Sequence, residues 1–293
     1  MYKKIIKMHM KPTVLITGAN SFIAKHLTHI LKEKYNIKYL TRTPKNENEF
    51  AWNLENWTID EKALDDVDYI VHLSGSKLND GTPLTPERQK LVRDTRIGAA
   101  NFLREKLKER NQTLKAFVSA SAIGYYGFTE SNLEIDENGN KGLGFSAELS
   151  DDWEKAADLF KTDHVADHVS KIRVSLVLGN EGGILPVFKG MIQNNPNIVT
   201  HSQTDVFLWN HVEDMAGIFA FALENHLDGV FNSVAPEPAS TQDVFKAISN
   251  KMNGTNYEIK PFQGQHLVSN KIINAGYQFK FPNIEGAIKN LIN

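Results

Sequence analysis

The stretch ITGANSFIAKHL, residues 16–27, follows an apolar strand and opens a helix, as a dinucleotide-binding turn does. Gly18 holds the first of the three glycine positions and permits the tight reversal from strand to helix. Ala24 is an accepted substitute at the third position. Ser21 occupies the second, where its Cβ would crowd a pyrophosphate, while its hydroxyl would either donate to a phosphate oxygen or cap the helix. The turn predicts a weakened dinucleotide site, with an ordinary strand–loop–helix as the alternative.

The next strand ends in YLTRTPK, residues 39–45, and no carboxylate follows it before Glu47. A site for NAD places Asp or Glu about 20 residues after the glycine turn, where it binds the ribose 2′-hydroxyl. Here Thr41 and Arg42 stand at the strand end, and a guanidinium matches a 2′-phosphate bidentately. The sequence therefore favours NADP(H) over NAD(H), with an exposed loop arginine as the alternative.

Strands and helices alternate along the first half of the chain. Buried strands are predicted over 14–17, 37–41, 69–73, 116–119 and 172–178, and amphipathic helices over 21–34, 85–109 and 145–160. Thr85 as N-cap and Pro86 at the first helical position mark the start of the long helix. This alternation predicts an α/β fold, a doubly wound parallel sheet with helices on both faces. The cleft of such a sheet lies where the strand order reverses.

The pattern loosens after Gly179, which predicts a smaller lobe on the substrate side. We assign residues 11–180 to the dinucleotide-binding domain, with 208–235 returning to it as a helix (212–223) and a strand (230–234). Residues 181–207 and 236–293 form the predicted small lobe.

Composition excludes several classes of function. The 293 residues include no cysteine, so disulfides, thiolate metal sites and cysteine catalysis are excluded. A formal net charge of −2 gives no basic surface for nucleic acid or an anionic membrane. No apolar run approaches the roughly 20 residues of a membrane span, and no signal-peptide pattern follows the basic start. We expect a cytoplasmic protein with a small-molecule substrate and with a homodimer as an open possibility.

His164 and His168 have the i, i+4 spacing of metal ligands, with Asp163 and Asp167 beside them. The surrounding KTDHVADHVSK is polar and precedes a predicted strand. We therefore interpret it as a solvated connector and predict no metal site.

Six motifs then occur in order, and together they span nearly the whole chain. They follow the glycine turn and are YIVHLSGSKL (69–78), TPERQKLVRDTR (85–96), FVSASAIGYYG (117–127), IRVSLVLGNEGGIL (172–185), LWNHVEDMAGIFAFAL (208–223) and NKIINAGYQFKFPNIEGAIKNLI (270–292). The set closely resembles the atypical extended short-chain dehydrogenases/reductases of the NAD-dependent epimerase/dehydratase type. The most similar group carries a short C-terminal domain of unknown function.

The resemblance implies a Rossmann fold of the extended type and an NADP(H) site. The pyrophosphate turn would comprise Thr17, Gly18, Ser21, Phe22 and Ile23. The remaining cofactor contacts would come from Thr41 and Arg42 at the 2′-phosphate, Leu73, Ser74 and Gly75 at the adenine ribose, Arg96 on the long helix, Ser119, and Val177 near the nicotinamide.

The catalytic residues of the wider superfamily are Ser or Thr, Tyr and Lys, of which the tyrosine transfers the proton. The resemblance places Ser121 at the serine position. Phe145 and Leu149 fall on the two slots of the Tyr-x-x-x-Lys pair, and neither can carry a proton. Tyr125 and Tyr126 are the candidates for an alternative phenol, although packing is the more common role of such a pair.

Three further residues are weaker candidates for a role in the site. Glu148 is a candidate acid that is more commonly a solvated helix residue. The resemblance predicts a structural role for Asp214, pinning a loop over the substrate cleft, while Trp209 would either wall the cleft or fill the core. The loops 194–207 and 257–270 depart from the group, so the resemblance does not identify a substrate.

Two functions of different classes follow from these residues. The first is an NADP(H)-dependent, epimerase/dehydratase-like oxidoreductase of unknown substrate. The second is a non-catalytic NADPH-binding protein that senses the cofactor or supports a partner, and Phe145 and Leu149 favour it. A strict nucleotide-sugar epimerase is disfavoured because that chemistry needs the missing tyrosine.

Overall fold

The computed structural model describes residues 11–78, 81–127, 134–262 and 264–292. The strands in this part of the chain are β1 (Thr13–Thr17), β2 (Asn36–Thr41), β3 (Glu49–Asn53), β4 (Thr58–Ile59), β5 (Val67–His72), β6 (Leu114–Ala122), β7 (Glu134–Ile135), β8 (Ala166–Val174), β9 (Leu176–Leu178), β10 (Val206–Phe207), β11 (Trp209–His211), β12 (Gly229–Ser233), β13 (Ala239–Ser240) and β14 (His266–Leu267). The α-helices are α1 (Phe22–Leu31), α2 (Pro86–Arg93), α3 (Ala99–Glu109), α4 (Phe145–Thr162), α5 (Leu185–Asn194), α6 (Ile198–His201), α7 (Val212–Glu224), α8 (Thr241–Asn253), α9 (Asn270–Asn274) and α10 (Ile284–Leu291).

Eight strands form the main sheet, in the order β12-β8-β6-β5-β1-β2-β3-β4. All neighbouring pairs are parallel except β3 with β4. The chain moves outward in one direction from β1 to β3 and in the other from β5 to β12, so the strand order reverses between β1 and β5. The predicted doubly wound sheet is confirmed.

Apolar helix faces cover the sheet on both sides. On one side α1 and α7 bury Leu27, Leu31 and Phe219, and on the other α3 and α4 bury Leu103 and Phe160. Every residue of β1 is buried, because a central parallel strand is covered on both faces. The long helix begins as predicted, with the Thr85 hydroxyl accepting from the amide of Arg88 and Pro86 in the first turn.

The structure differs from the sequence prediction at several boundaries. The strands β3 and β4 extend the sheet beyond β2 and were not predicted. The long helix is interrupted by a π-helical segment, Asp94–Gly98. The predicted strand 172–178 is two strands, since β8 ends at Val174 and β9 pairs with β11 outside the main sheet. His168 lies within β8, so its segment is not a solvated connector, and its Nδ1 lies 2.8 Å from Asp228 Oδ2.

The small lobe has a core of its own, built by apolar residues of α5, α8 and α10 such as Phe188, Phe245 and Ile288. The strand β12 returns to the main sheet beside β8, as predicted. The segment around α9 departs from the predicted division, because Ile272 and Tyr277 pack on the core of the main sheet. Among the described helices, none combines the length and apolarity that a membrane crossing would require.

Candidate cofactor site

The glycine turn lies at the reversal of strand order, directly against the backbone that follows β5. Gly18 has a φ of +75°, and a Cβ built on it would lie 2.9 Å from the carbonyl oxygen of Leu73. Both observations require glycine at this position. Doubly wound sheets bind ligands in the crevice at such a reversal. The turn from β1 into α1 and the backbone that begins at Leu73 lie at this place, which we call the groove.

Ser21 caps α1. Its hydroxyl accepts from the amide of Ala24 at 3.1 Å, which confirms the capping alternative. The cap leaves the amides of Phe22 and Ile23, which have no preceding helical turn to bond them. Amides in this position and the positive end of the helix dipole attract an anion.

Thr17 differs from its predicted role, because its side chain is buried completely and faces away from solvent. Its hydroxyl oxygen accepts from the amides of Leu73 and Ser74 at 3.0 and 2.9 Å. It also lies 3.0 Å from Nδ1 of His72, a residue that sequence reasoning missed. The hydroxyl is therefore committed to holding two strand ends together and is not available to a phosphate.

Arg96 is a half-buried cation on the π-helical segment, and it contacts the backbone that follows β5. A Cβ on Gly75 would lie 2.7 Å from its Cζ, so the guanidinium rests on that glycine. Its Cζ also lies 5.2 Å from the ring centroid of Trp153. Burial lowers the pKa of Arg96 to about 10, and no described carboxylate pairs with it.

Arg42 stands exposed immediately after β2, as the sequence predicted. It forms no ion pair with a described residue. Thr41 beside it is buried, and its hydroxyl accepts from the amide of Thr43 at 3.4 Å. Of the two predicted 2′-phosphate ligands, only Arg42 therefore presents a polar group that is free to bind a phosphate.

The other predicted cofactor residues differ in their burial and contacts. The ring of Phe22 packs where side chains on Gly179 or Gly182 would stand, and Ile23 packs on the main core. Val177 is half-buried in β9. Ser119 is fully buried, and its hydroxyl donates to the carbonyl of Ala120, so its side chain does not reach the groove as predicted.

The predicted catalytic serine belongs to a buried ionic network. The Ser121 hydroxyl donates to Glu154 Oε1 at 2.6 Å. The same carboxylate receives two bonds from Arg173, at 2.8 and 2.9 Å. Burial opposes the charge of Arg173, but its hydrogen bonds to Glu154 outweigh that effect and raise its pKa above the usual value. The proton of Ser121 is thus directed at Glu154 and away from any substrate.

The two tyrosines join this network. Tyr126 is 3% exposed, and its hydroxyl lies 2.7 Å from both Arg173 Nη1 and Asn232 Oδ1. Burial raises the pKa of Tyr126 to about 12, which disfavours the phenolate. Tyr125 is half-buried, with the Arg173 guanidinium 3.6 Å from its ring centroid. These contacts are those of packed residues, and the catalytic role of Tyr125 stays a prediction.

The first turn of α4 carries the residues expected at the Tyr-x-x-x-Lys slots. Leu149 is 4% exposed, and Phe145 lies under the guanidinium of Arg93, whose Cζ is 5.6 Å from the ring centroid. Glu148 is exposed. No proton-transferring side chain takes the place of either residue on this turn.

Three residues of the motif at 208–223 have structural roles. Asp214 is fully buried and accepts from the amides of Lys280 and Phe281, which confirms its structural role, although the segment it pins is C-terminal. His211 caps α7 through the amide of Glu213. Trp209 is 1% exposed and fills the small-lobe core. Among the described residues, no group of three potential metal ligands occurs.

Comparison with known proteins finds similar sequences and structures that are named as epimerases or epimerase family proteins. No family model matches the chain. An epimerase family protein of Mycobacterium leprae is 30% identical over 246 residues, which cover 83% of this chain and 78% of the relative. The crystal structure of human epimerase family protein SDR39U1 (isoform 2) with NADPH has a TM-score of 0.77 at 24% identity, covering 96% of this chain and 99% of the human one. A UDP-N-acetylglucosamine 4-epimerase from Methanobrevibacter ruminantium has a TM-score of 0.75 at 18% identity, with 96% and 98% covered.

Proposed function

The chain belongs to the epimerase family of extended short-chain dehydrogenases/reductases, and we propose that it is an NADP(H)-binding oxidoreductase of a small molecule. One observation carries the proposal. Arg96 holds a half-buried positive charge, without a described carboxylate partner, at the reversal of strand order. A guanidinium in this position would bind an anion, and the phosphate groups of a dinucleotide are anions of this kind. The human relative SDR39U1, whose structure contains NADPH, supports this choice.

The residues around the groove fit the cofactor. The amides of Phe22 and Ile23, at the start of α1, would bind the pyrophosphate. Arg42 would bind the 2′-phosphate at the end of β2. The backbone of Leu73–Gly75 would line the adenine ribose, and Val177 would lie near the nicotinamide, which supplies hydride transfer when bound.

Calorimetric titration with NADPH and with NADH tests this proposal. We expect NADPH to bind about 10-fold more tightly than NADH, a difference of about 1.4 kcal/mol. Arg42→Ala should abolish that preference by weakening NADPH alone. Lys251→Ala removes an exposed cation of α8 and should leave both affinities unchanged. If the wild-type protein binds neither nucleotide, the proposal is wrong.

A second candidate is a non-catalytic NADPH-binding protein. The commitment of the Ser121 proton to Glu154 favours it, together with the burial of Tyr126 and Leu149. Incubation of the NADPH-loaded protein with aldehydes, ketones and nucleotide sugars separates the two, with NADPH absorbance as the signal. Consumption of NADPH with any of these compounds, lost in Arg96→Met, would select the oxidoreductase. Stable NADPH with every compound would select the binding protein.

A further inference from the structure

A chain of hydrogen bonds connects the end of β1 to the π-helical segment that carries Arg96. The Thr17 hydroxyl accepts from the amides of Leu73 and Ser74, so its single proton is left for Nδ1 of His72, 3.0 Å away. Nε2 of His72 must then carry the imidazole proton, and it donates to the carbonyl oxygen of Arg96 at 3.0 Å. Both side chains are fully buried, so neither can contact a ligand.

The backbone that receives this bond is unusual. Between α2 and α3 the helix widens into a π-helical turn, Asp94–Gly98, with the amide of Ala99 bonded back to the carbonyl of Asp94. Such turns are rare and concentrate at functional sites. Trp57 packs against the outer side, where a Cβ on Gly98 would lie 2.7 Å from its ring. The widened turn is therefore held from within by His72 and from outside by Trp57.

The same chain of bonds determines where the Arg96 guanidinium lies. Thr17 fixes the backbone of Leu73 and Ser74, which leads directly into the Gly75 surface under the guanidinium. His72 fixes the backbone of Arg96 itself. The Thr17 hydroxyl thus fixes the backbone that the guanidinium contacts, and the His72 imidazole fixes the backbone from which the Arg96 side chain extends.

We propose that His72, oriented by Thr17, is a positioning residue that holds the Arg96 guanidinium in place for a phosphate group of NADP(H). This inference rests on the proposed function and deepens it. His72 contacts no cofactor and acts only through Arg96. Its contribution is pre-organisation, because a cation already held in the bound geometry loses less freedom when the phosphate arrives.

A double-mutant cycle measured by NADPH calorimetry tests the proposal. His72→Leu and Arg96→Met should each weaken NADPH binding by about 10-fold, within the range of coupled residues. The double variant should bind no more weakly than Arg96→Met alone, because His72 has no other route to the cofactor. His72→Gln, which keeps an N–H donor near the Nε2 position, should recover most of the affinity.

Three results would overturn the proposal or its premise. Additive losses in the double variant would show that His72 acts independently of Arg96, and full affinity in His72→Leu would show that it does not act at all. Circular dichroism checks that each variant is folded, and Thr17→Val replaces His72→Leu in the cycle if that variant is not. Absence of NADPH binding by the wild-type protein would instead reject the proposed function, and this inference with it.

Discussion

The guanidinium of Arg96 occupies the space that a side chain on residue 75 would fill, and Gly75 leaves that space open. The backbone of Gly75 does not need a positive φ, so alanine fits its conformation. The space for a Cβ is nevertheless taken by the guanidinium, whose Cζ would be 2.7 Å away. A side chain here would thus displace a neighbouring cation, and sequence reasoning that assigned Gly75 to the adenine ribose did not identify this contact.

Gly75→Ala should displace the guanidinium of Arg96 and weaken NADPH binding by about 10-fold, or about 1.4 kcal/mol. The free energy of unfolding should change by less than about 1 kcal/mol, because Arg96 is flexible at its far end. The matched control is Gly190→Ala in α5, where an added Cβ meets nothing within 4 Å. Equal NADPH affinities of the two variants would mean that Arg96 does not bind the cofactor.

The helix α4 and the strands β6 and β8 are joined by a buried ion pair instead of by catalytic side chains. Glu154 on α4 bonds Ser121 on β6 and Arg173 on β8, and Arg173 is 2% exposed. Such a pair costs much desolvation but becomes indispensable once formed, because either partner alone is a buried unpaired charge. Ser121, which the resemblance places at the serine position, therefore serves the packing of these three elements.

Arg173→Met should lower the free energy of unfolding by about 3–5 kcal/mol, because it leaves Glu154 buried and unpaired. Urea denaturation measures the loss. The double variant Arg173→Met, Glu154→Leu should recover most of it, since no buried charge remains. As a control, Lys34→Met breaks a pair with a 66% exposed lysine and should cost less than about 1 kcal/mol. Equal losses in the two single variants would contradict the network's importance.

The stability of the folded protein depends on histidines whose neutral form is favoured by burial. Burial lowers the pKa of His72 to about 4, while its bond to the Arg96 carbonyl acts in the opposite direction. Burial also lowers the pKa of His26 and His211. Between the folded and unfolded pKa values the unfolded chain binds more protons, so the free energy of unfolding rises with pH. Stability is thus present above pH 6.5 and is lost as the pH falls toward 4.

Acidification from pH 7.5 to 5 should cost the wild-type protein about 2 kcal/mol through His72 alone, given the unfolded value of 6.5. His72→Gln removes this titration and should reduce the pH dependence by that amount, as measured by urea denaturation at both pH values. His164→Gln, at an exposed position between α4 and β8, serves as the matched histidine control. Parallel slopes for wild type and His72→Gln would contradict a buried neutral His72.

Local patterns were enough to predict the order of the elements, the doubly wound sheet, the Thr85 cap and the position of Arg42. These features depend on residues near one another in sequence, through hydrophobic periodicity, capping and the residue type at a strand end. The ordered motifs were enough to predict the family. The strand β4 was missed because two residues carry no period, and β3 was missed because only Trp52 of its five residues is buried.

The tertiary structure alone decided which polar groups remain available for chemistry. Thr17 and His72 are 55 residues apart, and Ser121 and Glu154 are 33 apart, yet each pair shares a buried hydrogen bond. A hydroxyl has one proton to donate, so its partner determines whether it can serve a substrate or cofactor. Sequence identifies Thr17 and Ser121 as candidates, but the three-dimensional position of His72 and Glu154 commits them elsewhere. Arg42 and Arg96 remain as cations without a described carboxylate partner.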